Sequence, residues 1–275
     1  MKEYSGGLHL LSEDEKALAQ FLASHQTAKL EDLVDIIRPQ AVKHDDVGVE
    51  RFTEYNVSNL NDIGQISKLG KVVNVLKNDL NRAEKQTIQQ NDVLVVCKGA
   101  VGKVGVVETQ LGSNAIASQA FSILRVKPHI NSITPTALFQ YLNSKYGQLQ
   151  LASLVTGTTA LMLSAKDLSS MLIPLFPENK IQQANQVRTS VIEAFKQIEQ
   201  AKLHVQMHIE DNVDESCHEE CCTGSCDCSH GNCFTIWLLT GNYHYKIKSF
   251  DYVFSLFEGD LLRSPPSRLL RPPIA

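Results

Sequence analysis

Ser12-Glu13-Asp14-Glu15 forms a capping box, and Ala17, Leu18, Phe21 and Leu22 follow it at helical spacing, which predicts a helix to about Ser24. A second apolar pattern, Leu30, Leu33, Val34, Ile36 and Ile37, is ended by Arg38-Pro39 whatever its type. From Phe52 to Val126 short β-branched runs alternate with glycine and asparagine; Gln65–Val75, Asp92–Cys97, Lys103–Val107 and Ala120–Val126 read as strands. Val93-Leu94-Val95-Val96-Cys97 is continuous rather than alternating, so it is expected to be buried on both faces. Pro135–Gln150 returns to helical spacing, with Leu138, Phe139, Leu142 and Tyr146 as its apolar stripe. The polar stretch Thr156-Gly157-Thr158-Thr159 follows, then a short helix over Ala165–Met171. Ile173-Pro174-Leu175-Phe176-Pro177 reads as a stiff extended connector.

The connector leads into one long helix, about 179–209, roughly 45 Å at about 1.5 Å per residue. Ala184, Val187, Val191, Ala194, Ile198, Ala201 and Val205 alternate spacings of three and four, a heptad seam for which a helical partner is expected. Packing across the chain's own β-rich part is the alternative. The fold class expected is therefore α+β, a β-rich mixed domain followed by one long helix acting as a coiled-coil spacer.

Composition changes this picture little: 275 residues, 43 % of them apolar and 20 % charged, are enough for a real core and exclude a disordered or fibrous chain. No apolar run approaches the roughly 18 residues of a membrane span, and Met1 to Gly7 lacks a signal-peptide core, so a cytoplasmic protein without membrane partners is expected. Charge changes it more. The net −4 conceals a division, with 6 basic and 11 acidic residues in 1–60, 10 and 5 in 61–150, and 10 and 14 in 151–275. A basic middle segment points to a polyanion, against the plain alternative of a solvated face.

Catalytic signatures are missing. Lys98-Gly99-Ala100-Val101-Gly102-Lys103 resembles a phosphate loop, but two residues separate its glycines where four are needed, and Val104 stands where Ser or Thr would bind magnesium. There is no Asn-Pro-Pro-aromatic tetrad, no glycine-rich cofactor loop of an adenine methyltransferase, and no nuclease-type set of two acids and a lysine. The residues describe a binding protein, not an enzyme.

Several stretches form an ordered series: Lys29–Arg38, Tyr55-Asn56-Val57-Ser58-Asn59-Leu60 with Gly64, and Asn91–Val95 through Lys98–Gly105. Ala117-Ser118-Gln119-Ala120-Phe121, Phe139-Gln140-Tyr141-Leu142 and Thr156–Thr159 come next, and Ile173-Pro174-Leu175 leads into Gln182-Gln183. Taken in this order they resemble one half of the DNA specificity subunit of type I restriction-modification systems. The resemblance covers about 28–209. It implies a target recognition domain at 29–178, preceded by an N-terminal helical extension at 1–28 and followed by a dimerising spacer helix at 179–210. It also implies a non-catalytic subunit that binds double-stranded DNA and directs adenine methylation and restriction by partner methyltransferase and restriction subunits. S-adenosylmethionine would then be bound only by the partner methyltransferase, with no cofactor on this chain directly. One recognition domain and one long helix are half of the full pattern, so self-association through 179–210 would restore a symmetric split site. Phe195, Ile192 and Leu203, off the seam, are candidates for docking a methyltransferase helix.

Lys68, Lys71, Lys98, Lys103 and Lys145 are the candidates for phosphate contacts, and Gln119 is a candidate base reader. Beyond the resemblance, 211–275 forms an acidic, cysteine-rich tail and an unassigned end. Cys217, Cys221, Cys226 and Cys228 could hold zinc, although the spacing matches no zinc finger and a redox-variable linker is as compatible. Two other functions stay open at this point. One is a detached recognition domain of a methyltransferase-nuclease; the other is a metal-responsive dimer that uses the tail as its sensor.

Overall fold

A computed structural model of the chain describes residues 13–45, 48–66, 69–157 and 161–211. The described residues up to Arg188 form one compact unit, and those from Thr189 belong to a second. The first unit is α+β. In chain order its elements are α1 (Glu13–Ala23), β1 (Thr27–Lys29), α2 (Leu30–Leu33), β2 (Val34–Ile37), β3 (Glu50–Tyr55), β4 (Lys71–Val75), α3 (Leu80–Lys85) and β5 (Val93–Val96). Then follow β6 (Val104–Val106), β7 (Ala115–Ala117), β8 (Phe121–Val126), α4 (Pro135–Asn143), α5 (Lys145–Leu154), α6 (Ala165–Ser169) and β9 (Leu172–Pro174). The helix α7 (Glu178–Asp211) begins in this unit and continues into the second.

The organising sheet has strand order β2-β8-β5-β6, all antiparallel. β5 shows why its sequence does not alternate: Val93 and Val95 enter a core shared with α1, α4, α5 and α6, while Leu94 and Val96 enter a second core with Tyr55, Phe121 and Ile123. All four side chains are 0 % exposed, which makes the strand a rigid base for whatever its ends carry. A second sheet, β4-β3-β7, packs Phe52, Val73, Val75 and Ile116 with Ala83 of α3.

The structure departs from the sequence expectations at several places. The helix expected over Pro135–Gln150 is two helices sharing Ser144 as C-cap and N-cap. Its Oγ donates to Tyr141 O at 2.6 Å and accepts from Gly147 N at 3.0 Å. A Cβ on Gly147 would lie 2.0 Å from Tyr141 O, so the fold-back requires glycine there. The expected connector at Ile173 is strand β9, antiparallel to β1 with Thr27 opposite Pro174 and Lys29 opposite Leu172. Gln150 holds it from the side, accepting from Leu172 N at 3.1 Å and donating to Leu172 O at 2.9 Å. The pattern Leu30–Ile37, whose type the sequence left open, divides into α2 and β2; of the expected Gln65–Val75 strand only Lys71–Val75 pairs as a strand. Two strands lie outside the expected set: β3, whose Glu50-Arg51-Phe52-Thr53-Glu54-Tyr55 is mostly polar, and β7, which is only three residues long. Finally, α1 is no separate extension: Phe21 stacks on Tyr146 of α5 with centroids 4.1 Å apart, and residue 28, the expected boundary, falls within β1.

Candidate nucleic-acid interface

Three loops meet where β5 ends. The turn from β5 to β6 reverses through Gly99 and Gly102, with φ of +79° and +89°. It is closed by Val96 N donating to Lys103 O at 2.8 Å and Gly102 N to Val96 O at 3.0 Å. The turn from β7 to β8 joins it through Cys97 N, which donates to Ala120 O at 2.6 Å. The third loop, between α5 and α6, doubles back on itself: Thr156 N and Met162 O, and Met162 N and Thr156 O, are both paired at 2.9 Å. Leu163 N then donates to Cys97 O at 3.0 Å, so all three loops are fastened to one strand end by backbone hydrogen bonds. From the helical side Gln148 Nε2 donates to Gly102 O at 3.0 Å.

The described residues of these loops, 97–103, 117–121, 155–157 and 161–163, include Lys98 and Lys103 and no Asp or Glu. The formal charge of these loop residues is therefore positive. Below this corner Cys97 is buried among the strands, its Sγ 3.2 Å from Ser122 Oγ. Burial pushes its thiol up, against opposing pulls from the Ser122 hydrogen bond and from the charges of Arg38 and Lys98. A thiol held protonated in this way is a packing group rather than a nucleophile.

The structure brings two of the sequence candidates together: Lys98 Nζ donates to Gln119 Oε1 at 3.3 Å. Lys103 closes the same turn, but its ammonium donates to Leu60 O at 3.0 Å. Lys145 sits elsewhere, at the start of α5, in an exposed ion pair with Asp14 at 3.1 Å, and Lys71 is exposed on β4 opposite Glu54. Lys68 and the cysteines Cys217, Cys221, Cys226 and Cys228 lie outside the described residues. The seam of α7 is buried at Ala184, half-buried at Val187 and Val191 and exposed at Ala194, Ile198, Ala201 and Val205, so its start packs on the chain's own first unit as the alternative expected; off it, Leu203 is exposed and Ile192 and Phe195 half-buried. No described helix is long and apolar enough to cross a membrane.

One constellation escaped the sequence reading. Arg188 on α7 is 4 % exposed. It donates from Nε to Glu108 Oε1 at 2.6 Å and from Nη1 to Ile63 O at 2.7 Å, and its guanidinium lies 4.5 Å from the Phe139 ring centroid. Gln65 Nε2 holds the other Glu108 oxygen at 2.6 Å. Burial lowers the Arg188 pKa while the Glu108 hydrogen bond and charge raise it. With Ile181 and Ala184, also buried, Arg188 follows a spacing of three then four, so the signal was present in the helix period and was obscured by the charge of the residue.

The chain is 24 % identical over 140 residues to the type I restriction enzyme EcoBI specificity subunit of Escherichia coli, covering 51 % of this chain and 27 % of that one. Among solved structures, a type I restriction-modification S subunit from M. genitalium aligns with a TM-score of 0.44 and 17 % identity, covering 68 % of this chain and 43 % of the other. The HsdS subunit from Thermoanaerobacter tengcongensis gives 0.45 and 17 %, covering 69 % and 45 %. The chain thus spans about a quarter of the curated relative and less than half of each of these structures. Residues 24–205 match the family described as "Type I restriction modification DNA specificity domain", and the chain belongs to that family.

Proposed function

We propose that this chain is a non-catalytic DNA-reading subunit of a type I restriction-modification system, recognising one half of a target and directing methyltransferase and restriction subunits to it. The observation that carries the reading is the corner at the end of β5. Three loops locked by backbone hydrogen bonds present a lysine and a carboxamide side by side, with no acid among their described residues. Lysine neutralises phosphate without regard to sequence, and a carboxamide is one of the groups that can pair with a base edge. Two such chains, joined through the exposed seam of α7, would supply the two halves of a split target. S-adenosylmethionine and the methyl transfer itself belong in this reading to the partner methyltransferase. Methylome sequencing of a host with and without the gene tests it: a methylated adenine motif that vanishes with the gene supports the function, and an unchanged methylome contradicts it.

A further inference from the structure

We propose that Met162 is a specificity-determining residue of this corner, an apolar tip that meets the C5-methyl group of a thymine in duplex DNA; the inference rests on the DNA-reading function proposed above. Met162 is directly opposite Thr156 on one side and Lys98 on the other, both in antiparallel bridges. Directly opposed residues of antiparallel strands project to the same face with Cβ atoms about 4.5–5.5 Å apart. Thr156, Met162 and Lys98 therefore form a row on one face, and the hydrogen bond from Lys98 to Gln119 extends it.

Within this row Met162 is the one apolar side chain, and it is 39 % exposed although the next residue, Leu163, is 1 % exposed in the core. The methionine side chain thus stands partly in solvent while its neighbour is enclosed. Three strands at about 4.8 Å give the row a width of roughly 10 Å, comparable with the ~12 Å opening of the major groove. The apolar group that the major groove displays is the thymine methyl, and the groups flanking Met162 are those that bind phosphate and base edges. A duplex is the occupant that fits both the apolar tip and the acid-free loops around it. Side-chain alternation places Leu161, 48 % exposed, on the opposite face, which makes it the internal control.

The test uses the full chain and a target duplex obtained by selection from a random pool, with each thymine replaced singly by deoxyuridine so that only the methyl group is removed. At one position the wild-type protein is expected to lose about four-fold in affinity, the equivalent of burying roughly one methyl group. Met162→Ser is expected to bind the thymine duplex as weakly as wild type binds the uracil one and to stop distinguishing them; Met162→Leu and Leu161→Ser keep the discrimination. The wild-type comparison requires no variant, and thermal unfolding reports whether Met162→Ser folds. Wild-type indifference to deoxyuridine at every position overturns the inference while leaving the function intact. So does discrimination that survives Met162→Ser, including the case in which that variant only disturbs binding of a partner protein. A wild-type chain that selects no sequence at all removes the function and this inference together.

Discussion

Arg188 places a guanidinium where water hardly reaches it, and its neighbours are arranged to compensate: a carboxylate, a backbone carbonyl and an aromatic face. Removing one partner of such a pair strands the other. Arg188→Met is expected to destabilise the fold by about 3 kcal/mol, and the double variant with Glu108→Met to recover most of that loss, as read by urea unfolding. Two glycines of the same unit make a second comparison. Gly64 has φ +72° and a Cβ there would lie 2.7 Å from the Phe139 ring, whereas Gly99 has φ +79° and open space around it. Gly64→Ala should therefore lower stability by roughly 3 kcal/mol, through left-handed strain and overpacking together, and Gly99→Ala by only about 1 kcal/mol. Equal losses in the two variants would mean that packing around Phe139 does not constrain Gly64.

The elements give the candidate lysines different surroundings. Lys98 stands on a turn whose backbone is fixed on three sides, so its ammonium is presented from a rigid base, while Lys145 answers an acid on α1. Lys98→Ala should weaken binding to all duplexes alike and flatten the dependence of log affinity on log salt by about 0.9, the value for one phosphate no longer neutralised, whereas Lys145→Ala should leave the slope unchanged. Titration at several salt concentrations separates the two, and identical slopes for Lys98→Ala and wild type would remove Lys98 from the interface. Much of the element order was legible, because β5, β6, β8 and the two terminal helices are strongly patterned. The break at Ser144 was not. It depends on Gly147 meeting the end of α4, an approach between neighbouring helices that period alone does not reveal. The same holds for Met162, which reads as a loop hydrophobe until its pairing with Lys98 is known.

At the scale of the molecule, the proposed division of labour puts sequence reading in the first unit and pairing in the helix beyond it. The seam residues Ile198 and Val205 are exposed in the single chain. Sedimentation is expected to give twice the 30.5 kDa chain mass, and Ile198→Glu with Val205→Glu to return the monomer; a monomeric wild-type chain would contradict pairing through this helix. The seam was visible in the sequence as a heptad spacing, and the basic middle segment as an excess of Lys and Arg. The corner that concentrates two of its lysines was not, since its parts lie about 20 residues and then about 40 residues apart along the chain and only the sheet register brings them together. The central claim is that this unit reads a DNA sequence. Selection of bound duplexes from a random pool by the full chain tests it most directly: enrichment of one motif is the predicted result, and a bound pool indistinguishable from the input would contradict it.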